Sequence, residues 1–318
     1  MPPRLTVMGN INMDFSIRTE LMPAAGEIVT AEGVELIPGG KGANQAVAAV
    51  RLGAEVLLVG CLGHDVYGRA LRQRMSQGGV GVKFVSQEEG VATGMAFLLR
   101  DASAGQPRVL SVPGANLALT PDRVEQAHRA FERADFFLTS LTLADETTNR
   151  ALQIAADCFV PILLDPAPLP GKPPQLWTGA HLLTPNRAEA SRLTRQTVTD
   201  LASAVEACRR MRTRGIERVA LTLGAEGCLL SDEEGERLVP GFAVTLVDST
   251  AAKDAFTAAL GVRMAEEAGF EVAATFANAA AALACTVRGA QISLPTREAV
   301  EALLERTRRD KQPLVKAV

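Results

Sequence analysis

The sequence predicts an α/β protein built on a doubly wound, mainly parallel sheet with helices on both faces. Two observations carry this reading. Short apolar runs of strand length alternate with longer segments of helical period, and that spacing calls for parallel pairing through right-handed crossovers. Polar residues also collect where these strands end, which is where an open α/β sheet binds its ligands.

Taken in order, the strand runs are Leu5–Gly9, Val56–Cys61, Asp135–Ser140, Pro161–Asp165, Ala180–Thr184 and Arg218–Leu223. Helical patterns at Ala43–Leu52, Gly68–Gln77, Pro121–Arg133, Glu146–Asp157 and Leu201–Arg214 separate most of them. After about Asp248 the chain turns mostly helical, over Ala252–Ala268, Glu271–Val287 and Thr296–Thr307. Two segments break the rhythm, 16–37 and 93–112, with β-type runs interrupted by Gly and Pro and no helix between them. They form either one small sheet projecting from the main one or two unrelated surface hairpins.

Composition narrows the class. Among 318 residues, 33 Lys and Arg face 36 Asp and Glu, a net charge of −3, and no apolar run approaches membrane-span length. No secretory signal is apparent at the start, so a cytoplasmic protein is expected. The five cysteines are odd in number and lack a Cys-x-x-Cys pair, which predicts reduced thiols rather than disulfides or a zinc site. With 11 Phe, one Trp and one Tyr and no net basic charge, nothing supports a nucleic-acid surface. The basic stretch Arg209–Arg214 closes a helical pattern, where cations suit the helix dipole.

The polar strand ends are Asn10-Ile11-Asn12-Met13-Asp14, Asp165-Pro166, Thr184-Pro185-Asn186, Thr222-Leu223-Gly224 and Asp248-Ser249-Thr250. Pro38-Gly39-Gly40-Lys41-Gly42-Ala43-Asn44 is neither a P-loop, which needs Gly at position 35 and Ser or Thr at 42, nor a dinucleotide loop, which needs Gly at 45. It reads as a tight turn that a ligand can approach, with Lys41 and Asn44 able to bond hydroxyls. In Asp248–Phe256, small residues precede an acid at a helix start. That is either an amide anion site with Asp254 as proton acceptor, or an acid favoured there by the helix dipole.

On these residues, together with Glu189 and Gly289-Ala290-Gln291, the sequence resembles the PfkB carbohydrate kinase family over about residues 4 to 306. The form Gly39-Gly40-Lys41-Gly42-Ala43-Asn44-Gln45 is closer to its ribokinase branch than to its fructokinases or adenosine kinases. The resemblance implies one catalytic domain over 1–318, with the two β segments as its lid and as the contact of a homodimer. It implies transfer of the ATP γ-phosphoryl group to a sugar's primary hydroxyl, the 5-hydroxyl for D-ribose. Asn12, Asp14, Gly40, Lys41 and Asn44 would hold the sugar, and Asp254 would be the general base, with Ala251, Ala252 and Lys253 in the anion hole. Asn186, Thr222, Gly224 and Asn278 would serve the nucleotide. Asn186 and Glu189, three apart on one helix face, would organise Mg²⁺. A monovalent cation, K⁺, would use Asp248 with Thr250, Ala284, Val287, Gly289 and Ser293.

Two departures from the family pattern change the expectation. Lys253 stands where the family has Gly, and a bulky cation in the amide cradle would reduce activity. The alternatives are then an impaired protein that only binds sugar or nucleotide, or a kinase for a related sugar or nucleoside. Thr142 stands where ribokinases commonly place an acid near the sugar, which implies altered hydroxyl recognition.

Overall fold

The computed structural model of the protein describes residues 1–101, 108–169 and 179–311. In chain order its strands are β1 (Arg4–Met8), β2 (Asn12–Thr19), β3 (Gly33–Gly39), β4 (Glu55–Gly63), β5 (Gly81–Glu88), β6 (Gly94–Asp101) and β7 (Arg108–Val112). The rest are β8 (Phe136–Ser140), β9 (Ile162–Asp165), β10 (Leu182–Leu183), β11 (Arg218–Thr222), β12 (Gly227–Asp232) and β13 (Gly235–Pro240). The helices are α1 (Lys41–Arg51), α2 (Val66–Gln77), α3 (Pro121–Gln126), α4 (His128–Phe131), α5 (Asp145–Asp157), α6 (Arg187–Thr194), α7 (Leu201–Arg212), α8 (Ala252–Ala265), α9 (Phe270–Ala284) and α10 (Arg297–Lys311).

The expected sheet forms, in the order β13-β12-β11-β10-β9-β8-β1-β4-β5. Pairing is parallel from β5 to β11 and antiparallel for β12 and β13. Alternation along a strand splits the core into two layers. In β8, Phe136 and Leu138 join the layer under α1, α8 and α9, while Phe137 packs into the opposite layer with Phe131 at a ring separation of 4.9 Å. Sequence reasoning missed β5 and β13, the polar strands at the two edges of the sheet, and β12, a buried strand inside β13, and it ran α3 and α4 together. Ala127 separates those two with φ −90° and ψ 5°.

The two irregular segments make one four-stranded sheet, ordered β3-β2-β6-β7, with β2 and β6 parallel at its centre. Two unrelated hairpins are therefore excluded; residues 102–107 of the second segment lie outside the described residues. The sheet begins at Asn12, so Asn12 and Asp14 lie within its strand rather than in a loop after β1, which corrects the expected boundary. Register puts Leu36, Phe15, Phe97 and Leu110 in one row across its face, with the two phenyl rings stacked at 5.2 Å. Leu36 and Leu110 are exposed there, and both rings are half-buried. Asp14 and Arg100 alternate to the other face. All five cysteines are free, and among the described residues no helix is long and apolar enough to cross a membrane.

Candidate active site

The chain leaves β1 toward β4 on one side, while β8 and β9 build outward on the other, so a crevice opens where the strand order reverses. α1 is drawn tightly onto this point. Gly40 caps it at φ 90°, and a Cβ there would lie 2.6 Å from the Asn10 carbonyl oxygen. Gly42 passes the backbone of Gly9 so closely that its Cβ would stand 2.6 Å from the Gly9 Cα. Only glycine permits both, and the result is that the first turn of α1 presents Lys41, Asn44 and Gln45 to the ends of β8 and β9.

From the opposite side α8 packs along α1 and starts at Ala252, after Ala251 in the left-handed region at φ 61°. Asp254 lies buried in its first turn, beside N–H groups that a helix start leaves without intrahelical partners. Its Oδ1 accepts from Lys41 Nζ at 2.9 Å, and its Oδ2 from Asn44 Nδ2 at 2.9 Å. Lys41 Nζ also donates to Oδ2 of Asp165, the fully buried last residue of β9, at 2.9 Å. Gln45 Nε2 joins the same oxygen at 3.1 Å. Asp165 Oδ1 accepts from Lys253 Nζ at 2.6 Å, and Lys253 Nζ also pairs with Glu189 Oε2. Glu189, Lys253, Asp165, Lys41 and Asp254 thus form one line of alternating charge.

The pairing shifts the protonation of the two central members, Asp165 and Lys41. Burial alone would raise the pKa of Asp165, but the ammonium groups of Lys253 and Lys41 outweigh it and keep the carboxyl below its usual range. Burial would lower Lys41, yet Asp165 and Asp254 raise it. Asp14 has no such partner: burial, and then repulsion from Asp254, push it up to about 7. Its Oδ1 is buried without a hydrogen-bond partner, as are Asn44 Oδ1 and Gln45 Oε1. Buried acceptors without donors are costly, and three around one crevice suit a ligand rich in hydroxyl groups.

Other expected residues have more local roles. The Asn12 side-chain oxygen accepts from Asn116 Nδ2 at 2.9 Å, and Asn116 Oδ1 in turn takes the Ile11 N–H at 2.8 Å. Thr142 Oγ1 takes the Asn10 N–H at 3.1 Å and shares a 3.0 Å contact with Ser140 Oγ, so it supports the turn after β1. Asn186 is not on a helix face with Glu189, as expected, but is the N-cap of α6. The two close a capping box, with Asn186 Oδ1 accepting the Glu189 N–H and Glu189 Oε2 the Asn186 N–H.

Lys253 departs most from expectation. Its side chain does not fill the amide cradle at the start of α8 but runs to the two carboxylates. This bears on the Mg²⁺ expectation, because Glu189 Oε2 and Asp165 Oδ1 already share an ammonium. Among the described residues no group of three or more His, Cys, Asp or Glu gathers to hold a metal. With Lys253 in place, these side chains do not fit a divalent ion.

On the expected nucleotide side, Asn186 and Thr222 form an isolated parallel bridge, and Thr222 Oγ1 donates to the Pro185 carbonyl at 3.4 Å. Gly224 opens onto empty space at φ 70°. Asn278 Nδ2 donates to the carbonyls of Val239 and Pro240, at 3.0 and 3.2 Å, so its amide pins the end of β13. A cleft of about 790 Å³ lies farther along this side between Val239–Ala243, α9 and α10, and holds none of the site carboxylates. The crevice is the candidate active site, because there the unpartnered buried oxygens of Asp14, Asn44 and Gln45 gather beside Lys41, Asp165 and Asp254.

Asp248 joins two loops. Its Oδ1 accepts from the Thr250 N–H and hydroxyl, and its Oδ2 from the Gly289 N–H at 3.1 Å. Although burial raises its pKa, these donors lower it overall. Arg100 of β6 reaches the same carboxylate at 3.7 Å. Ala284 ends α9 nearby, Val287 is exposed, and Ser293 Oγ donates to the Ala290 carbonyl. Asp248 is thus an ionised carboxylate between two loops, with the Arg100 guanidinium beside it.

Sequence reasoning had noted Asp165 only as a polar strand end and Gln45 only within a motif. It missed Asn116 and Arg100, which lie in segments without a site signal.

A family model described as pfkB family carbohydrate kinase matches residues 3–297. A ribokinase of Haemophilus influenzae is 36% identical over 305 residues, covering 96% of this chain and 99% of the relative. A Bacillus subtilis ribokinase is 35% identical over 94% and 99% of the two chains. The structure of Arabidopsis thaliana ribokinase complexed with ribose and ATP superposes with a TM-score of 0.87, at 30% identity and covering 96% and 99% of the two chains.

Proposed function

The chain belongs to the pfkB family of carbohydrate kinases, and from that premise we propose that it transfers the γ-phosphoryl group of ATP to the 5-hydroxyl of D-ribose, as a ribokinase. The observation that carries this reading is Asp254, held by Lys41 and Asn44 at the N-terminus of a buried helix with unpartnered acceptors around it. The relatives named ribokinase, and the neighbour described with ribose and ATP, support the choice of substrate.

In this reading Asp254 accepts the hydroxyl proton while the hydroxyl oxygen bonds to the γ-phosphorus. The bond from that phosphorus to the bridging oxygen breaks, and ADP leaves with the electron pair. Asp14, Asn12, Gly40, Lys41 and Asn44 orient the sugar, and the start of α8, its N-cap Ala251 with Ala252 and Lys253, lies toward the developing charge. Thr142 acts by holding the turn at Asn10. Thr222, Gly224, Asn186 and Asn278 shape the nucleotide side. The expected loss of activity rested on Lys253 entering the cradle. Its ammonium lies at Asp165 and Glu189 instead, and nothing in the site favours the impaired alternative.

Three finer assignments accompany this reading. K⁺ would be held at Asp248 with oxygens near Thr250, Ala284, Val287, Gly289 and Ser293, where it would keep the loop before α8 in place. The protein acts as one domain with a lid in the cytoplasm, a setting that suits five free thiols. It forms a homodimer through the lid row of Leu36, Phe15, Phe97 and Leu110, whose apolar face is half-bare in the single chain. The central experiment is ADP release with ATP, Mg²⁺ and K⁺ over a panel of pentoses, hexoses and nucleosides. Ribose should give the highest kcat/KM; a higher value on a hexose or a nucleoside would overturn the assignment.

A further inference from the structure

Lys253 reaches back from the first turn of α8 to bind carboxylates 88 and 64 residues earlier in the chain. Both acceptors are well hidden, Asp165 completely and Glu189 with a side chain only 13% exposed. They are also fixed from elsewhere, Asp165 by Lys41 and Gln45 and Glu189 by the Asn186 N–H. Two carboxylate oxygens facing each other across one small cationic group is an arrangement that a hard divalent ion also seeks. Here the cation is covalently part of the chain.

We propose that Lys253 is a resident cation that closes the Asp165–Glu189 pair to divalent metal ions in the ligand-free protein. The ammonium is a compact point charge on a flexible stem, so it settles between two oxygens much as a small ion does. A metal entering the same gap would have to expel it, breaking two charge-assisted bonds and leaving a positive group beside a dication. The side chain therefore supplies the neutralisation, and it also fixes the Glu189 carboxylate in its capping box. This goes beyond the proposed kinase activity and stands apart from it, since it concerns binding in the absence of sugar and nucleotide.

Mn²⁺, followed by its electron paramagnetic resonance signal during titration into ligand-free protein, tests the proposal without any turnover. Four proteins are compared: the natural chain, Lys253→Met, Glu189→Gln and the double variant. Glutamine keeps the capping box, because it too can accept the Asn186 N–H. The expected result is that Glu189→Gln leaves the natural chain's Mn²⁺ titration unchanged. Lys253→Met should gain a site at least about tenfold tighter, and the double variant should lose it again. A natural chain whose Mn²⁺ affinity falls on Glu189→Gln would overturn the proposal, as would a folded Lys253→Met protein that gains no site. If Lys253→Met does not fold, the natural chain and Glu189→Gln still decide: an unchanged titration supports closure, and a weakened one refutes it. Loss of ribokinase activity in any of them leaves this reading untouched, and a correct Mn²⁺ pattern in a protein inactive on ribose would refute only the substrate assignment.

Discussion

The crevice between α1 and α8 is held together by charged side chains, whereas the side proposed for the nucleotide, at Thr222, Gly224 and Asn278, is built mostly from backbone. In the first region Glu189, Lys253, Asp165, Lys41 and Asp254 pair in sequence, so each of these five charges has a partner before any ligand arrives. In the second, Thr222 and Asn278 spend their side chains on the carbonyls of Pro185, Val239 and Pro240, and Gly224 offers only open space. The two regions are therefore vulnerable in different ways. A charge removed from the first strands its neighbours in a buried place, while a side chain trimmed from the second mainly loosens a strand end.

The largest effect should come from Asp254→Asn. The amide keeps a similar shape and an acceptor oxygen for Lys41, but it cannot take up the hydroxyl proton. ADP release at saturating ribose and ATP should fall about 10²- to 10⁴-fold, with the fold intact by circular dichroism. Turnover equal to the natural chain's would remove the charged region from the chemistry altogether. Next comes Asp165→Ala, which leaves Lys41 and Lys253 each short of one carboxylate. Breaking a buried pair in this way costs about 3–5 kcal/mol, so the urea midpoint should drop markedly and Asp165→Asn should recover part of the loss. An unchanged midpoint would mean that the line of charges is ornamental to the fold.

Asp14 sharpens the comparison because it is the unpaired charge of its region. Asp14→Ala should raise the ribose KM by the loss of a charged hydrogen bond, about 1.5–3 kcal/mol, with little change in the ATP KM. Equal effects on both substrates would move Asp14 out of the sugar side. Its titration gives a separate handle. The unfolded carboxyl ionises near 3.8 and the folded one at about 7, so between those values the folded protein binds the extra proton. Stability of the ligand-free protein should therefore fall as pH rises through that window. Asp14→Asn should leave the melting temperature alone near the lower end of the window and raise it above the upper end. The same gain at both ends would refute the raised value.

Much of this was legible in the residues. β1, β4, β8, β9 and β11 announce themselves as apolar runs between helical periods, and Lys41, Asn44 and Asp254 stand out through the motifs of the resembled family, since an acid at a helix start is by itself equally explained by the helix dipole. The lid was visible only as two broken β-type runs, since the parallel join of β2 to β6 depends on pairing across 82 residues from Asn12 to Gly94 that no local pattern encodes. The direction of Lys253 was illegible for a related reason. A four-carbon stem leaves its ammonium free to follow whichever carboxylates the fold brings near, and Asp165 and Glu189 come from β9 and α6. Reading position alone put the charge in the amide cradle; tertiary electrostatics carried it the other way.

The smallest expected effect tests the backbone-built region. Asn278→Ala removes two N–H donors from the carbonyls of Val239 and Pro240, at the point where β13 hands over to the segment lining the large cleft. These carbonyls lie near the end of an edge strand, where water can replace the lost donors more readily than it could at Asp165. The penalty should therefore be that of an ordinary neutral hydrogen bond, about 0.5–1.5 kcal/mol, rather than that of a stranded buried charge. It should appear as a severalfold rise in the ATP KM, because the strand end moves against the nucleotide side, with the ribose KM and the kcat nearly unchanged. Competitive displacement of a fluorescent ATP analogue would measure the binding part alone. If Asn278→Ala instead weakened ribose as much as ATP, the two regions would be coupled through α9 and α8, and the contrast between a charged half and a backbone half would fail as a description of how this site divides its work.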